Sequence, residues 1–186
     1  MIHDYTMLRH PSNEPVSVDG FLVRFEFIDD YLHLQYELTG ELSTLNIPAV
    51  QAPCAVDGLW KHTCFEAFIA VNGEEGYYEL NFSPSSTWAA YAFSGYRSRS
   101  AWTINKAPII RCAQTKESLL IDVLIAAVDL PLKQIEQSFQ LGLTAVIETN
   151  EGELSYWALQ HSDSAPDFHQ RQHFILSFNP NNPQEL

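Results

Sequence analysis

The sequence predicts an all-β protein: an antiparallel β-sandwich of about nine to eleven strands, immunoglobulin-like or jelly-roll-like, with one short helix. Apolar and polar residues alternate through one segment after another, as they do in strands that bury one face. Gly, Pro, Asn and Asp residues separate these segments, and one stretch alone carries apolar residues at helical spacing. Dense strands with a single helix favour a sandwich. No linker or repeat divides the chain, so we interpret residues 1–186 as one domain.

Two hairpins are predicted from alternating segments that short polar turns connect. FLVRFEFI (21–28) and YLHLQYELTG (31–40) each place apolar residues at every second position, and two acidic residues lie between the segments. PIIRCAQ (108–114) and SLLIDVLI (118–125) form a second pair of the same kind. Both pairs are therefore expected to be antiparallel neighbours in a sheet.

Three consecutive strands are predicted at the centre of the chain, between Gly58 and Tyr96. The first is an apolar run that contains a single acid, Glu66. The second is GYYELNFS (76–83) and the third is TWAAYAF (87–93). Three later segments complete the predicted strands: QLGLTAVIET (140–149), LSYWAL (154–159) and HFILSF (173–178).

One helix is predicted, in the segment VDLPLKQIEQSF (128–139). Leu132, Ile135 and Phe139 fall at helical spacing in this segment. Asp129 is a candidate N-cap, and Pro131 suits the first turn because it lacks an amide hydrogen.

The charge of the chain excludes two classes of partner. There are 23 Asp and Glu residues against 10 Lys and Arg, which gives a formal net charge of −13. Phosphate backbones and anionic lipid surfaces would repel such a chain, so we expect neither nucleic-acid nor membrane binding. No apolar run approaches the roughly 20 residues that a bilayer-spanning helix needs.

Cysteine usage and the N-terminus predict a cytoplasmic protein. Cys54, Cys64 and Cys112 are odd in number and have no CxxC spacing, so neither a disulfide framework nor a zinc cluster is expected. The first fifteen residues lack the basic start and apolar stretch of a signal peptide. The histidines show no metal-ligand spacing either, and we predict no metal site.

Glu66 is the first candidate for a functional side chain. Burying a carboxylate among apolar neighbours is unfavourable without a partner, so Glu66 is expected to contact either a ligand or a basic side chain of the protein. On the next strand, Glu79 and Asn81 share one face with Tyr77. A glycosidase needs two carboxylates across the scissile bond, and the sequence does not set the separation of Glu66 and Glu79. We therefore predict no catalytic residue and no enzyme.

Three motifs carry a resemblance to a known family. WKHTCFEAF (60–68), YYELNFSP (77–84) and WAAY (88–91) resemble the DOMON-like domains, which are related to the family 9 carbohydrate-binding modules and to haem-binding domains of some dehydrogenases. The resemblance covers most of the chain and extends to VDLPL before the strand LGLTAVIE, and to YWAL before PDFH. It implies a sandwich that binds either a sugar or haem.

The resemblance to the sugar-binding members implies a set of ligand-binding residues. Those modules hold a sugar between two tryptophans and bind its hydroxyls with a glutamate six residues after the first. Trp60 and Glu66 have that spacing, and Trp157 stands where a second tryptophan is expected. Glu79 or Asn81 corresponds to the polar position on the following strand. Arg97 or Arg99, from the next loop, could supply the cation that those modules place there.

We therefore expect non-catalytic binding of a small polar ligand, with a saccharide first, and no bound cofactor. A haem-binding electron-transfer domain stays open as one alternative. The chain, however, has only Met1 and Met7 as methionine ligands, both in the lead-in, with Lys61 or His62 as other candidates. A structural or protein-interaction domain, in which Glu66 is simply ion-paired and a protein is the partner, stays open as the other.

Overall fold

The fold is an antiparallel β-sandwich. The computed structural model describes residues 4–14, 16–132, 137–162 and 164–179. Within these ranges the chain forms thirteen strands: β1 (Tyr5–Thr6), β2 (Leu8–Arg9), β3 (Val18–Ile28), β4 (Tyr31–Gly40), β5 (Cys64–Val71), β6 (Tyr77–Phe82), β7 (Trp88–Gly95), β8 (Ser98–Ser100), β9 (Ile109–Gln114), β10 (Ser118–Ala126), β11 (Phe139–Glu148), β12 (Leu154–Ala158) and β13 (Leu176–Phe178).

Two sheets contain these strands. The first has the order β1-β3-β4-β10-β9. The second has the order β2-β12-β11-β5-β6-β7-β8, and β13 also pairs with β11. Both predicted hairpins, β3–β4 and β9–β10, are present in the first sheet, and the three predicted central strands are the adjacent β5, β6 and β7 of the second.

The core lies between the sheets because each strand turns its apolar face inward. Leu34 and Tyr36 of β4 are fully buried, as are Ile121 and Val123 of β10, and Phe65 of β5 meets them from the second sheet. The hydroxyl of the core tyrosine donates to a main-chain carbonyl oxygen of β5 at 2.7 Å, which satisfies its one polar atom. The period-two pattern of the sequence is thus confirmed by burial.

The predicted helix across residues 128–139 is wrong in the part of this segment that the structure describes. Ala127–Asp129 form one 3-10 turn, and Leu130 returns to an extended conformation. Instead of capping a helix, Asp129 accepts a hydrogen bond from the backbone N–H of Asn105 at 2.8 Å. Phe139 is the first residue of β11, while residues 133–136 of the prediction lie outside the described residues.

A second apolar cluster lies on the outer face of the second sheet. Phe68, Tyr77, Phe93 and Phe174 pack together there, away from the core between the sheets. The segment that contains Phe174 therefore covers part of this outer face, which is why strand β5 is buried on both sides. Across the described residues, no helix is long and apolar enough to cross a membrane.

Candidate ligand-binding cleft

A cleft opens on the outer face of the second sheet, over β5, β6 and β11. Its volume is about 410 Å³, within the usual range for sites that bind small molecules. Its floor comes from the strands, and its walls come from the turn before β5, the β7–β8 hairpin and the segment before β13. The lining residues are Trp60, Glu66, Phe68, Glu79, Phe93, Arg97, Arg99, Val146, Tyr156, Pro166, Phe168 and His169.

Glu66 lies at the floor of the cleft with a single hydrogen bond from the described residues. It is 2% exposed, and its neighbour across β11 is Thr144, whose hydroxyl donates to Glu66 Oε2 at 2.9 Å. Burial and, to a smaller extent, the nearby carboxylate of Glu79 raise the pKa of Glu66 to about 8. No described arginine pairs with Glu66, so the ion-paired alternative does not describe this side chain.

Glu79 is the second carboxylate of the floor. It belongs to β6 and is a diagonal neighbour of Glu66, since Glu66 lies opposite Asn81 in the register of β5 and β6. Glu79 is 5% exposed, and burial raises its pKa although Asn81, Arg99 and Arg97 act to lower it. The amide of Asn81 donates to Glu79 Oε1 at 2.7 Å, which fixes the carboxylate in place.

His169 forms one wall of the cleft beside Glu79. The backbone N–H of Arg97 donates to the Tyr77 hydroxyl at 3.0 Å, and that hydroxyl lies 2.9 Å from His169 Nδ1. The tyrosine therefore donates to Nδ1, which leaves the proton of the neutral ring on Nε2, 3.9 Å from Glu79 Oε2. Burial, together with the charge of Arg97, lowers the pKa of His169 to about 4.

Arg97 connects the β7–β8 hairpin to the segment before β13. Its guanidinium donates to Asp167 Oδ1 at 2.9 Å, and the hydroxyl of Tyr96 donates to Oδ2 at 2.7 Å. Burial acts to raise the pKa of Asp167, but these donors and the amide of Gln170 hold it at about 2. Arg97 has a φ of 52°, a left-handed conformation that is unusual outside glycine and that the turn of this hairpin requires.

Trp60 forms an aromatic wall together with Tyr91 and Arg99. The rings of Trp60 and Tyr91 meet edge to face, with centroids 5.6 Å apart. The guanidinium of Arg99 lies 4.4 Å from the centroid of Tyr91 and 5.6 Å from that of Trp60. The Tyr91 hydroxyl donates to Asp57 at 2.7 Å, which holds the turn before β5 against β7.

The structure brings four of the six predicted site residues together and separates the other two. Trp60, Glu66, Glu79 and Arg97 line the cleft. Asn81 is fully buried behind Glu79 and positions it, rather than facing the cleft. Trp157 is a correction: it points into the core between the sheets.

The placement of Trp157 follows from strand alternation. It lies opposite Ala145 in the β11–β12 register, on the inner face, and its ring packs 5.6 Å from that of Phe21 in the opposite sheet. Its indole N–H donates to the Ser155 hydroxyl at 3.0 Å. The neighbouring residue Tyr156 faces outward and lines the cleft instead.

Sequence reasoning missed most of the apolar lining. Phe68 and Val146 lie on strands that the sequence predicts, at the same face as Glu66, so alternation could have found them. Pro166, Phe168 and His169 come from a segment with no periodicity, and their approach to β5 leaves no signal in the sequence. The segment contacts β5 through Phe168 and Phe68, whose ring centroids are 6.5 Å apart.

The arrangement suits a ligand with apolar faces and polar edges. Aromatic rings line one part of the cleft, while carboxylates and guanidinium groups line the rest, so a molecule with both characters can replace its water contacts there. Among the described residues, no three His, Cys, Asp or Glu side chains come together as ligands of a metal would.

Solved structures with this fold include carbohydrate-binding proteins. One, from Bacteroides uniformis and provisionally assigned as carbohydrate-binding, matches with a TM-score of 0.68 at 10% identity, over 93% of this chain and 83% of its own. A family 9 carbohydrate-binding module from Caldicellulosiruptor kristjanssonii in complex with cellotriose has a TM-score of 0.57 at 7% identity, over 96% and 82%. The chain is similar in fold to the family 9 carbohydrate-binding modules.

A second structure of such a module agrees with this likeness. A family 9 module from the same organism in complex with glucose has a TM-score of 0.57 at 8% identity, over 93% of this chain and 83% of its own. The predicted sandwich and its relation to these modules are thereby confirmed at the level of the fold. No family model matches the chain, and no curated protein matches its sequence.

Proposed function

We propose that the chain is a DOMON-like domain that binds a small polar ligand, a saccharide, in this cleft and does not transform it. The observation that carries the proposal is the cleft itself: two buried carboxylates at its floor and an indole at its wall. The fold likeness supports it, since modules of this fold have been solved with cellotriose and with glucose.

The chemistry of a pyranose matches the lining. Its C–H face is apolar and packs against aromatic rings such as that of Trp60, while its hydroxyls need acceptors and donors to replace water. Glu66 and Glu79 accept hydrogen bonds, and Arg97 and Arg99 donate them. A site with this division orients a sugar ring as well as binding it.

The position of the two carboxylates supports binding without catalysis. Glycosidases place two carboxyl groups on either side of the scissile bond. Here Glu66 and Glu79 project from the same face of one sheet, on neighbouring strands. We accordingly assign neither of them a catalytic role.

The geometry favours this function over the two alternatives. Met7, the one methionine that the described residues contain, is packed in the core, and His62 lies 2.9 Å from Glu148 rather than in the cleft lining. A purely structural role for Glu66 does not explain why its carboxyl group lines an open cleft without an ion-pair partner among the described residues. The cytoplasmic location stays a prediction from the sequence.

The test is calorimetric titration with glucose and cellotriose, comparing the wild type with Trp60→Ala. We expect saccharide binding in the wild type and a loss of about tenfold in affinity in Trp60→Ala, because stacking on an indole is worth about 1 kcal/mol or more. Trp102→Ala is the matched control, since Trp102 is also half-buried but packs on Tyr78 outside the cleft.

Two results would contradict the proposal. Equal saccharide affinities in the wild type and Trp60→Ala would show that the indole of Trp60 does not contact the saccharide. A Soret band that appears when haem is added, without saccharide binding, would favour the haem alternative instead.

A further inference from the structure

The floor of the cleft contains two carboxyl groups, Glu66 and Glu79, and the charges of Arg97 and Arg99 act on Glu79 from a distance. Among the residues that the structure describes, no Lys or Arg forms an ion pair with Glu66 or Glu79. Oε1 of Glu66 receives no hydrogen bond from them, although the side chain is 2% exposed and lines the cleft. A carboxylate in a largely buried side chain is unfavourable without a cation or further donors, and the open cleft is the place from which these can come.

The other charges around the cleft are already matched. Arg97 pairs with Asp167 at 2.9 Å, and Arg99 lies 3.9 Å from Asp57 while its guanidinium covers Tyr91. Each arginine thus has an aspartate as its nearest described carboxylate partner, and neither forms a salt bridge with Glu66 or Glu79. His169 does not change this balance, because its lowered pKa of about 4 keeps the ring neutral at neutral pH.

We propose that the floor of the cleft selects a saccharide with a protonated amine, an amino sugar, and that its ammonium group lies between Glu66 and Glu79. This inference rests on the proposed function and narrows its ligand class. An ammonium has three donors, enough to reach Glu66 Oε1 and the carboxylate of Glu79, and charge-assisted hydrogen bonds of this kind are the strong ones. The net charge of −13 on the chain also favours the approach of a cation.

A proton substitutes for the ammonium while the cleft is empty. The groups that face Glu66 are Glu79 from β6, Thr144 from β11, Arg97 and Arg99 from the β7–β8 hairpin and His169 from the segment before β13. Burial and the charge of Glu79 raise the pKa of Glu66 to about 8, so one carboxyl of the pair is protonated at neutral pH. A bound ammonium stabilises both carboxylates in the ionised form and expels that proton.

The first experiment compares glucosamine, glucose and N-acetylglucosamine by calorimetry with the wild-type protein at about pH 6, where the free amine is charged. We expect glucosamine to bind on the order of tenfold more tightly than glucose, since only its amine can pair with the floor. N-acetylglucosamine has the same substituent position without the charge and is expected to show no such preference.

The outcomes separate this inference from the function on which it rests. Equal or weaker binding of glucosamine than of glucose overturns the amino-sugar inference and leaves saccharide binding intact. Binding of none of the three sugars overturns both. Repeating the glucosamine titration in buffers of different ionisation enthalpy should show release of close to one proton per ligand, and zero release would contradict the shared proton.

Variants locate the effect at the two carboxylates. Glu66→Gln and Glu79→Gln keep the shape of the floor, and each is expected to reduce the ratio of glucosamine affinity to glucose affinity by about tenfold, whatever its effect on the glucose affinity itself. Glu148→Gln is the matched control: it is a glutamate on the same face of the sheet whose carboxylate contacts Asn46 and His62, outside the cleft lining. Thermal melting shows that each variant folds, and an unchanged preference in both floor variants would contradict the inference.

Discussion

At the scale of single residues, the cleft depends on acids that strands place where water is scarce. Glu66 of β5 and Glu79 of β6 both point to the outer face of the second sheet. Both side chains are nevertheless buried. Their partners on the protein side are hydroxyl and amide groups, from Thr144 and Asn81. Such groups fix the carboxylates without neutralising them, so their ionisation opposes folding.

The pH dependence of stability is expected to reveal Glu66. Its pKa is raised from an ordinary value of 4.5 to about 8, so the folded protein retains a proton that the unfolded chain releases. This contribution to stability is complete below about pH 4.5 and is lost as the pH rises to about 8. Urea unfolding should show that Glu66→Gln is more stable than the wild type by a few kcal/mol at about pH 9, with little difference at about pH 4.

The control for this prediction is Glu117→Gln, which changes an exposed glutamate near the β9–β10 turn. It keeps Glu66 and should therefore keep the slope of stability against pH that the wild type shows. Parallel curves for the wild type and Glu66→Gln would show that the carboxyl of Glu66 titrates alike in the folded and unfolded chain.

At the scale of elements, the walls of the cleft are held in place by contacts between segments that are distant in sequence. Asp167 accepts hydrogen bonds from Tyr96 and Arg97 of the β7–β8 hairpin. Further along the same segment, Phe174 lies against Gly142 of β11, where an added Cβ would come within 2.6 Å of the ring. Glycine at that position therefore permits the close approach that covers the sheet.

Asp167→Ala is expected to loosen the walls without unfolding the sandwich. It removes the acceptor for Tyr96, Arg97 and the backbone N–H of His169, at a cost of about 1–3 kcal/mol in stability. Hydrogen exchange should rise in residues 96–100 and 166–170 and stay unchanged in β4 and β10. Asp167→Asn keeps an acceptor oxygen and should show a smaller rise; exchange that is unchanged in Asp167→Ala would contradict this account.

At the scale of the whole molecule, one core between two sheets supports a site on the outside of one of them. Trp157 belongs to the core, where it contacts Phe21 of the opposite sheet, whereas Trp60 belongs to the cleft. The two tryptophans that the sequence suggests as equivalent platforms thus have different roles. One packs between the sheets and the other lines the cleft.

Substituting these tryptophans should separate stability from binding. Trp157→Ala is expected to reduce the free energy of unfolding by about 3–5 kcal/mol, because it leaves a cavity in a tightly packed core. Its saccharide affinity, measured at a temperature where the variant is folded, should equal that of the wild type. Chemical denaturation and calorimetry on Trp60→Ala and Trp157→Ala test this. A tenfold loss of saccharide affinity in Trp157→Ala would indicate that Trp157 contributes to the binding site.

The strands and the core residues were predictable because their physical cause is local. Alternation along FLVRFEFI and YLHLQYELTG places one side chain of every two toward the core, whatever the rest of the chain does. The helix prediction failed for the opposite reason. At the two described ends of the segment 128–139, tertiary contacts replaced the helix: Asp129 accepts a hydrogen bond from Asn105, and Phe139 pairs in β11.

The sequence therefore determined the sheets, the identity of the core and the presence of an acid amid apolar neighbours at Glu66. Tertiary structure decided which face of the second sheet holds a cleft, that Glu79 lies beside Glu66, and that Trp157 turns inward while Tyr156 turns outward. Alternation fixes only that neighbouring residues take opposite faces. Which face becomes a cleft depends on segments such as 166–174, whose approach to the sheet is set by contacts across the whole fold.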